Sequence, residues 1–231
     1  MNAHGRQLAL PFAHMPHYDA GDFIAAPANA AALAWLARSA AWPERRLLLW
    51  GEAGCGKTHL LHRWAAQAGA LFLDGFALAW PHPAFRCGPV DRDLAIDDAD
   101  GADPVALLHV LNAAHEAGFR VVLCARAQPS RWPAGLPDLD SRLRAMTIAQ
   151  IAAPDDELRR LLLARLLAER QVAVPEPLQD WLLLHLPRDP QALREAAARL
   201  DRAGLASGGR VTRPLAAAVV DEIATMWQPC G

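Results

Sequence analysis

The sequence predicts an α/β chain: a parallel P-loop sheet with helices on both faces, followed by a small all-α lid domain. Three observations carry that expectation. The stretch from Arg46 through Trp50, Gly51, Gly54, Cys55, Gly56, Lys57 and Thr58 to Leu61 reads as a buried strand, a glycine-rich loop and the start of a helix, with G-x-x-x-x-G-K-T at its centre. Apolar runs then recur between helical stretches up to about residue 150. They lack the alternation of a half-exposed strand, as strands buried on two faces should. Beyond that point only helical patterns remain.

The loop residues suit an anion. Glycines at 51, 54 and 56 let backbone N–H groups curl round a phosphate without side-chain interference. Lys57 is placed to reach the β- and γ-phosphates and the Thr58 hydroxyl to bind Mg²⁺, with Cys55 and His59 in the same turn. The helix from Thr58 to about Ala68 points its positive end at the same place. By chance the pattern arises in a chain of this length at roughly the one-per-cent level. Moreover, Lys57 is the only lysine among 23 Lys and Arg residues. Arginine is a wide planar fork, whereas a P-loop needs a compact point charge on a flexible stem.

Length and composition bound the rest. The 231 residues leave room for one α/β domain plus a helical appendage. Hydrophobic residues make up 53%, enough for a sizeable core, and the net charge of −2 gives no global argument for a nucleic-acid or acidic-membrane partner. With no membrane-length apolar run and no signal-like N-terminus, a cytoplasmic location is expected. Cysteines 55, 87, 124 and 230 form no C-x-x-C pair, so neither a zinc site nor a disulfide framework is expected.

Three regions are expected along the chain: a tail over 1–20, a nucleotide-binding α/β domain over 21–153 and a helical lid over 154–231. The tail is interrupted by Pro11 and Pro16 and reads as extended. Its Leu8, Leu10 and Phe12 alternate, a spacing suited to docking in a partner's groove. An Ala-rich helix is expected over about 29–40, and strands at 46–50, 70–73, 93–96 and 120–124. A helix over 104–117 opens on Pro104 and stops at Gly118. Lid helices are expected near 155–171, 177–186, 190–204 and 214–226.

Further site residues follow from this layout. The third strand runs straight into Asp97-Asp98. Such a pair suits Mg²⁺ at Asp97 and polarisation of an attacking water by Asp98 as general base, and a solvated acidic turn is the competing reading. At 136–144 stands Leu-Pro-Asp138-Leu-Asp140-Ser-Arg142-Leu-Arg144. In oligomeric P-loop ATPases a rim arginine reaches a neighbour's γ-phosphate. Arg142 and Arg144 lie two apart and would not share a helix face, so only one would cross an interface. Near the third lid helix, Arg188 and Arg194 are candidates for folding down on the phosphates, with a solvated helix face as the competing reading.

The ordered set Gly51-Glu-Ala-Gly-Cys-Gly-Lys57-Thr58-His59-Leu-Leu, Ile96-Asp97-Asp98, Leu136-Pro-Asp138-Leu-x-Ser141-Arg142-Leu and Leu200-Asp201-Arg202-Ala203 resembles the AAA+ module of the DnaA-like ATPase family, from about Asp22 to the C-terminus. Ending at Gly231 without a helix-turn-helix, and carrying Gln7-Leu8-Ala9-Leu10-Pro11-Phe12, the chain is similar to the family's regulatory inactivators. Their short N-terminus holds a sliding-clamp motif of the form Q-L-x-L-P-F.

The resemblance implies an ADP- or ATP-binding AAA+ protein with Mg²⁺. It would be held on the sliding clamp (the DNA polymerase III beta subunit) by Gln7, Leu8, Leu10, Pro11 and Phe12, and would promote hydrolysis of DnaA-bound ATP in negative regulation of initiation. DNA would be met only through the clamp, no membrane is implied, and self-association is left open. By position, Phe23, Ile24 and Asn29 match the stretch that contacts adenine and ribose, and Arg142 the trans-acting arginine finger. Two departures stand out: Cys124-Ala125-Arg126 where the family has a small or acidic polar sensor, and a lid sensor falling on Gln191 or, one turn on, Arg194. Both bear on self-hydrolysis more than on binding. The competing expectation is a stand-alone AAA+ ATPase, such as a helicase loader or remodeller, which has no need of the tail motif.

Overall fold

The computed structural model describes residues 23–79, 90–132, 135–206 and 210–227. The candidate docking motif at 7–12 lies outside them. The chain divides into two compact units, one ending at Asp155 and the other starting at Asp156.

In the first unit five strands form one sheet: β1 Arg46–Trp50, β2 Leu71–Asp74, β3 Leu94–Asp97, β4 Val121–Ala125 and β5 Thr147–Gln150. Their order is β2-β3-β4-β1-β5 and every pairing is parallel. Alternate residues of the central strands serve two different cores. Leu48, Leu94, Ile96, Val121 and Leu123 pack with Leu107, Val110 and Leu111 of helix α3 (Pro104–Glu116) and with Leu139 and Leu143 of helix α4 (Pro137–Ala145). Leu47, Leu49, Ala95, Val122 and Cys124 point the other way, onto Ala32 of helix α1 (Ala30–Ala37) and onto Leu60, Leu61 and Trp64 of helix α2 (Lys57–Ala68). Because both faces are buried, these strands read as unbroken apolar runs. Each fully buried leucine contributes about 1.5–3 kcal/mol.

β1 lies inside the sheet, and its chain exits through α2 to reach β2 at the far edge. That reversal opens a crevice at the carboxyl ends of the strands, where α/β sheets hold ligands. The loop 51–56 sits there.

Two elements depart from the sequence reading. The helix expected over 29–40 is only Ala30–Ala37, flanked by 3₁₀ turns at Pro27–Asn29 and Ser39–Ala41. Arg38 leaves helical geometry (φ −108°, ψ 38°), and the Trp42 indole N–H donates to the Trp35 carbonyl at 2.8 Å, satisfying an end-of-helix acceptor. Strand β5 was not among the expected strands. It is a four-residue edge strand in which only Ala149 is buried, so it lacks the apolar run that marks its neighbours.

The second unit is four helices: α5 Asp156–Glu169, α6 Glu176–His185, α7 Pro190–Ala206 and α8 Arg213–Met226. Ala192, Leu193, Ala196, Ala197 and Leu200 make one face of α7, at the spacing of a helix stripe, and pack with Leu163, Leu167, Leu182, Val219 and Ile223. Arg159 is buried and donates to the carbonyls of Leu186 (3.4 Å) and Pro187 (3.2 Å), which follow α6. Among the described residues no helix is long and apolar enough to cross a membrane.

Candidate nucleotide-binding site

The loop between β1 and α2 is shaped by its glycines. A Cβ on Gly51 would run into the Ile151 carbonyl oxygen, and Gly54 and Gly56 hold φ values of +76° and +102°, in the left-handed region that glycine adopts without strain. No side chain caps the first turn of α2, which leaves its N–H groups to the loop interior. Lys57, only 6% exposed, turns its ammonium back over the loop, donating to the carbonyls of Gly51 (2.7 Å) and Glu52 (2.8 Å). Its Nζ also stands 3.8 Å from the Cys55 sulfur. Half-buried Thr58 follows in the same turn.

Phe23 closes one side. Its ring edge lies 3.1 Å from where a Gly56 Cβ would stand, and the ring packs edge-on to His59 with centroids 5.4 Å apart. Asn29 is buried, and its amide is used on the loop itself: Oδ1 accepts from the Ala26 N–H and Nδ2 donates to the Ile24 carbonyl, both at 2.9 Å. It braces the Phe23-Ile24 stretch through the backbone.

The acidic turn meets the loop around one cysteine. Cys124 is fully buried on β4, its Sγ 3.7 Å from the Lys57 carbonyl oxygen. Burial pushes its thiol well above the usual range, and the charges that act on it are those of Asp97, Lys57, Cys55 and Asp98. The P-loop lysine and the β3 carboxylates therefore converge on the end of β4. Asp97 accepts from the Asp98 N–H at 3.1 Å, and Asp98 sits at φ +43°. Arg126, the residue after β4, places Nε 3.5 Å from Asp98 Oδ1.

Asp100 within this turn and Gly75 after β2 hold it in place. Asp100 Oδ2 accepts from the N–H groups of Arg126 (2.9 Å) and Ala127 (3.2 Å), tying the acidic turn to β4. A Cβ on Gly75 would stand 2.7 Å from the Asp97 carbonyl oxygen, so only glycine lets β2 close against this turn. The Asp74-Gly75 pair at a strand end is the signal for this closure in the sequence.

Arg142 lies at the other end of the sheet. With Glu44, Arg46, Asp138, Ser141 and Ala145 it lines a cavity of about 310 Å³ beside the start of β1. Arg144, by contrast, donates to the Asp140 carbonyl of its own helix at 3.2 Å. In the helical unit Arg188 pairs with Asp156 at 2.8 Å, while Gln191 and Arg194 are exposed on α7.

Five parallel strands in this order, helices on both faces, a P-loop after β1 and a C-terminal helical region define a DnaA-like AAA+ fold. Domain III of the Thermotoga maritima replication initiation protein DnaA matches with a TM-score of 0.76 and 22% identity, over 90% of this chain and 98% of that one. AMPPCP-bound DnaA from Aquifex aeolicus matches with a TM-score of 0.69 and 18% identity, over 83% of this chain and 67% of that one. In sequence the chain is 34% identical over 111 residues, 48% of its length, to the chromosomal replication initiator protein DnaA of Sphingopyxis alaskensis. The aligned part spans 24% of that relative's length. No protein-family model matches the chain.

The residues present fit an adenine nucleotide on the structure's own terms. A loop turned by glycines at 51, 54 and 56, a buried ammonium, an uncapped helix start and an aromatic side wall are the parts a phosphate-and-base ligand requires.

Proposed function

We propose that this chain is a nucleotide-binding AAA+ regulator of chromosome replication initiation, a DnaA-homologous regulatory inactivator of the Hda type. On this reading it holds ADP or ATP at the 51–58 loop, is tethered to the sliding clamp through Gln7–Phe12, and presents Arg142 to ATP bound on DnaA. Lys57 would exchange its two loop carbonyls for phosphate oxygens. Thr58 and Asp97 would hold Mg²⁺, which supplies neutralisation of phosphate charge. Phe23 and Ile24, braced by Asn29, would flank the base, and exposed Arg194 is the lid residue assigned to sensing.

One observation carries the reading: the separation of Lys57 from Arg142. The loop leaves the carboxyl end of β1, and the Arg142 cavity includes Arg46 at its amino end. The strand between them spans about 13 Å at the usual rise. An arginine so placed cannot serve its own P-loop, and has a use only toward a nucleotide held by another chain. Oligomeric ATPases also place an arginine in trans, so what favours the regulator over a stand-alone ATPase is the tail motif together with the engagement of Asp98 by Arg126. The test is hydrolysis of radiolabelled ATP pre-bound to DnaA, in the presence of clamp loaded on DNA. Addition of this chain should accelerate it. An unchanged rate together with robust turnover by the chain alone would select the stand-alone ATPase.

A further inference from the structure

The cavity beside the start of β1 holds two arginines, and only one of them has a part in the reading above. Arg46 is 3% exposed, opens β1, and donates from Nη2 to the Leu111 carbonyl at 3.2 Å. Arg142 is half-buried on α4 and lines the same cavity, with the Ser141 hydroxyl next to it. Among the described residues neither guanidinium is in an ion pair, although Glu44 and Asp138 also line the cavity. Asp138 stands four residues before Arg142, the helical spacing at which a carboxylate and an arginine pair. Elsewhere on these helices such neighbours do pair, as in Arg165–Glu169 and Arg199–Glu195. Those pairs lie in the helical unit; on α4 itself Arg144 likewise meets the Asp140 carbonyl and not its carboxylate, and Arg142 shares its cavity with a buried like charge.

Burying a guanidinium is costly, and placing a second one on the same cavity adds repulsion. The Arg46 charge is opposed first by its burial and then by Arg142, and is partly supported by Glu44. With Glu44 and Asp138 on the same cavity but in no ion pair with either guanidinium among the described residues, the repulsion between the two cations bears on where the less buried Arg142 stands.

We propose that Arg46 is the positioning residue for Arg142: fixed by the Leu111 carbonyl at the cavity wall, its charge keeps Arg142 off the protein body and aimed at the terminal phosphate of a nucleotide held by a partner chain. This rests on the reading of Arg142 as a trans-acting arginine. Arg46 itself makes no contact with the phosphate. Its effect is on where Arg142 stands when the partner docks, so it changes the rate on the bound partner and not the affinity for it.

The experiment titrates this chain against DnaA carrying radiolabelled ATP, and separates the maximal stimulated rate from the half-saturating concentration. Arg142→Ala should lose about a thousandfold or more of any arginine-finger stimulation. Arg46→Met should lose about 10- to 100-fold in maximal rate with half-saturation unchanged, the scale of a misplaced catalytic group. Arg46→Lys, which keeps the charge, should recover most of it. Arg46→Gln, which keeps a donor for the Leu111 carbonyl without the charge, should behave as Arg46→Met does and separates lost charge from lost packing. Melting temperatures and ADP affinity are measured for each variant. Wild-type maximal rates in Arg46→Met or Arg46→Gln beside an inactive Arg142→Ala would overturn the role of Arg46. A shift in half-saturation alone would do the same. An Arg142→Ala variant as active as the wild type would instead remove the reading on which this rests.

Discussion

Arg126 Nε lies 3.5 Å from Asp98 Oδ1, so the second carboxylate of the acidic pair faces a cation from the next strand. The pair is partly exposed, with Arg126 at 63%, and contributes little to stability, about 0–1 kcal/mol. Its consequence lies in chemistry. The guanidinium competes with a water molecule for the carboxylate that would orient and deprotonate it. Slow intrinsic ATP turnover is expected in the absence of clamp, DNA and DnaA. Arg126→Ala should raise it severalfold while moving the melting temperature only slightly. Phosphate release from the isolated proteins checks this, and equal rates for variant and wild type would leave Arg126 without the role.

Nucleotide affinity is expected to depend on Lys57 and on the loop's shape for separate reasons. Lys57→Ala should remove most phosphate affinity with the fold intact, because water entering the vacated space can meet the Gly51 and Glu52 carbonyls that the ammonium now holds. Gly51→Ala should cost stability itself, about 1–3 kcal/mol, since the new methyl meets the Ile151 backbone carbonyl as well as the Cys55 sulfur, and the backbone cannot simply rotate away. Calorimetry with ADP and thermal melts of the two variants separate these outcomes. Undiminished binding by a folded Lys57→Ala would remove the P-loop assignment.

How much of this was legible in the sequence follows burial. β1, β3 and β4 are buried on both faces and announce themselves as apolar runs. β5 is an edge strand with one buried residue, so its identity comes from pairing with β1 and not from its own composition. The loop and Asp97 were legible because their chemistry is local and tied to a strand end. Asp100 was not, since its partners are backbone N–H groups 26 and 27 residues away. Arg46 was hidden for a related reason: a charge at the first position of a strand is usually solvated, and only α3 and α4 packed over it make it buried. Asn29 belongs by resemblance to the stretch that contacts adenine and ribose, and what the sequence could not give is that its amide braces the backbone of Phe23 and Ile24.

Cys124 sets an alkaline limit on stability. The unfolded thiol ionises at its ordinary value of about 8.5, whereas burial raises the folded thiol well above that. Between the two, the folded chain holds the proton that the unfolded chain has lost, so stability falls as pH rises. Below the unfolded value the thiol is neutral in both states and contributes no slope. Denaturant melts should therefore show falling stability above about pH 8.5, and Cys124→Ala should flatten that fall while lowering stability at neutral pH through the small cavity it leaves. An identical alkaline slope in Cys124→Ala would assign the effect to other groups. Thiol reagents at neutral pH should likewise spare Cys124 in the folded protein.

Docking and stimulation should be separable, because one depends on the tail and the other on the far rim of the sheet. Leu10 and Phe12 fall in a short stretch interrupted by Pro11 and Pro16, and on the proposed reading they are the side chains that would enter a clamp pocket. Burying two such side chains yields roughly 3–6 kcal/mol gross, less several for ordering the tail. A single contact should be weak, and the equivalent pockets of a ring should strengthen it through effective concentration. Leu10→Ala/Phe12→Ala is expected to abolish clamp binding and leave nucleotide binding unchanged. Arg142→Ala touches charge stabilisation and not docking, so it should keep the clamp and lose stimulation of the partner's hydrolysis. A pull-down on clamp beads beside the DnaA hydrolysis assay measures both. If the tail variant bound clamp as the wild type does, the motif would have no docking role, whatever Arg142 does at the rim.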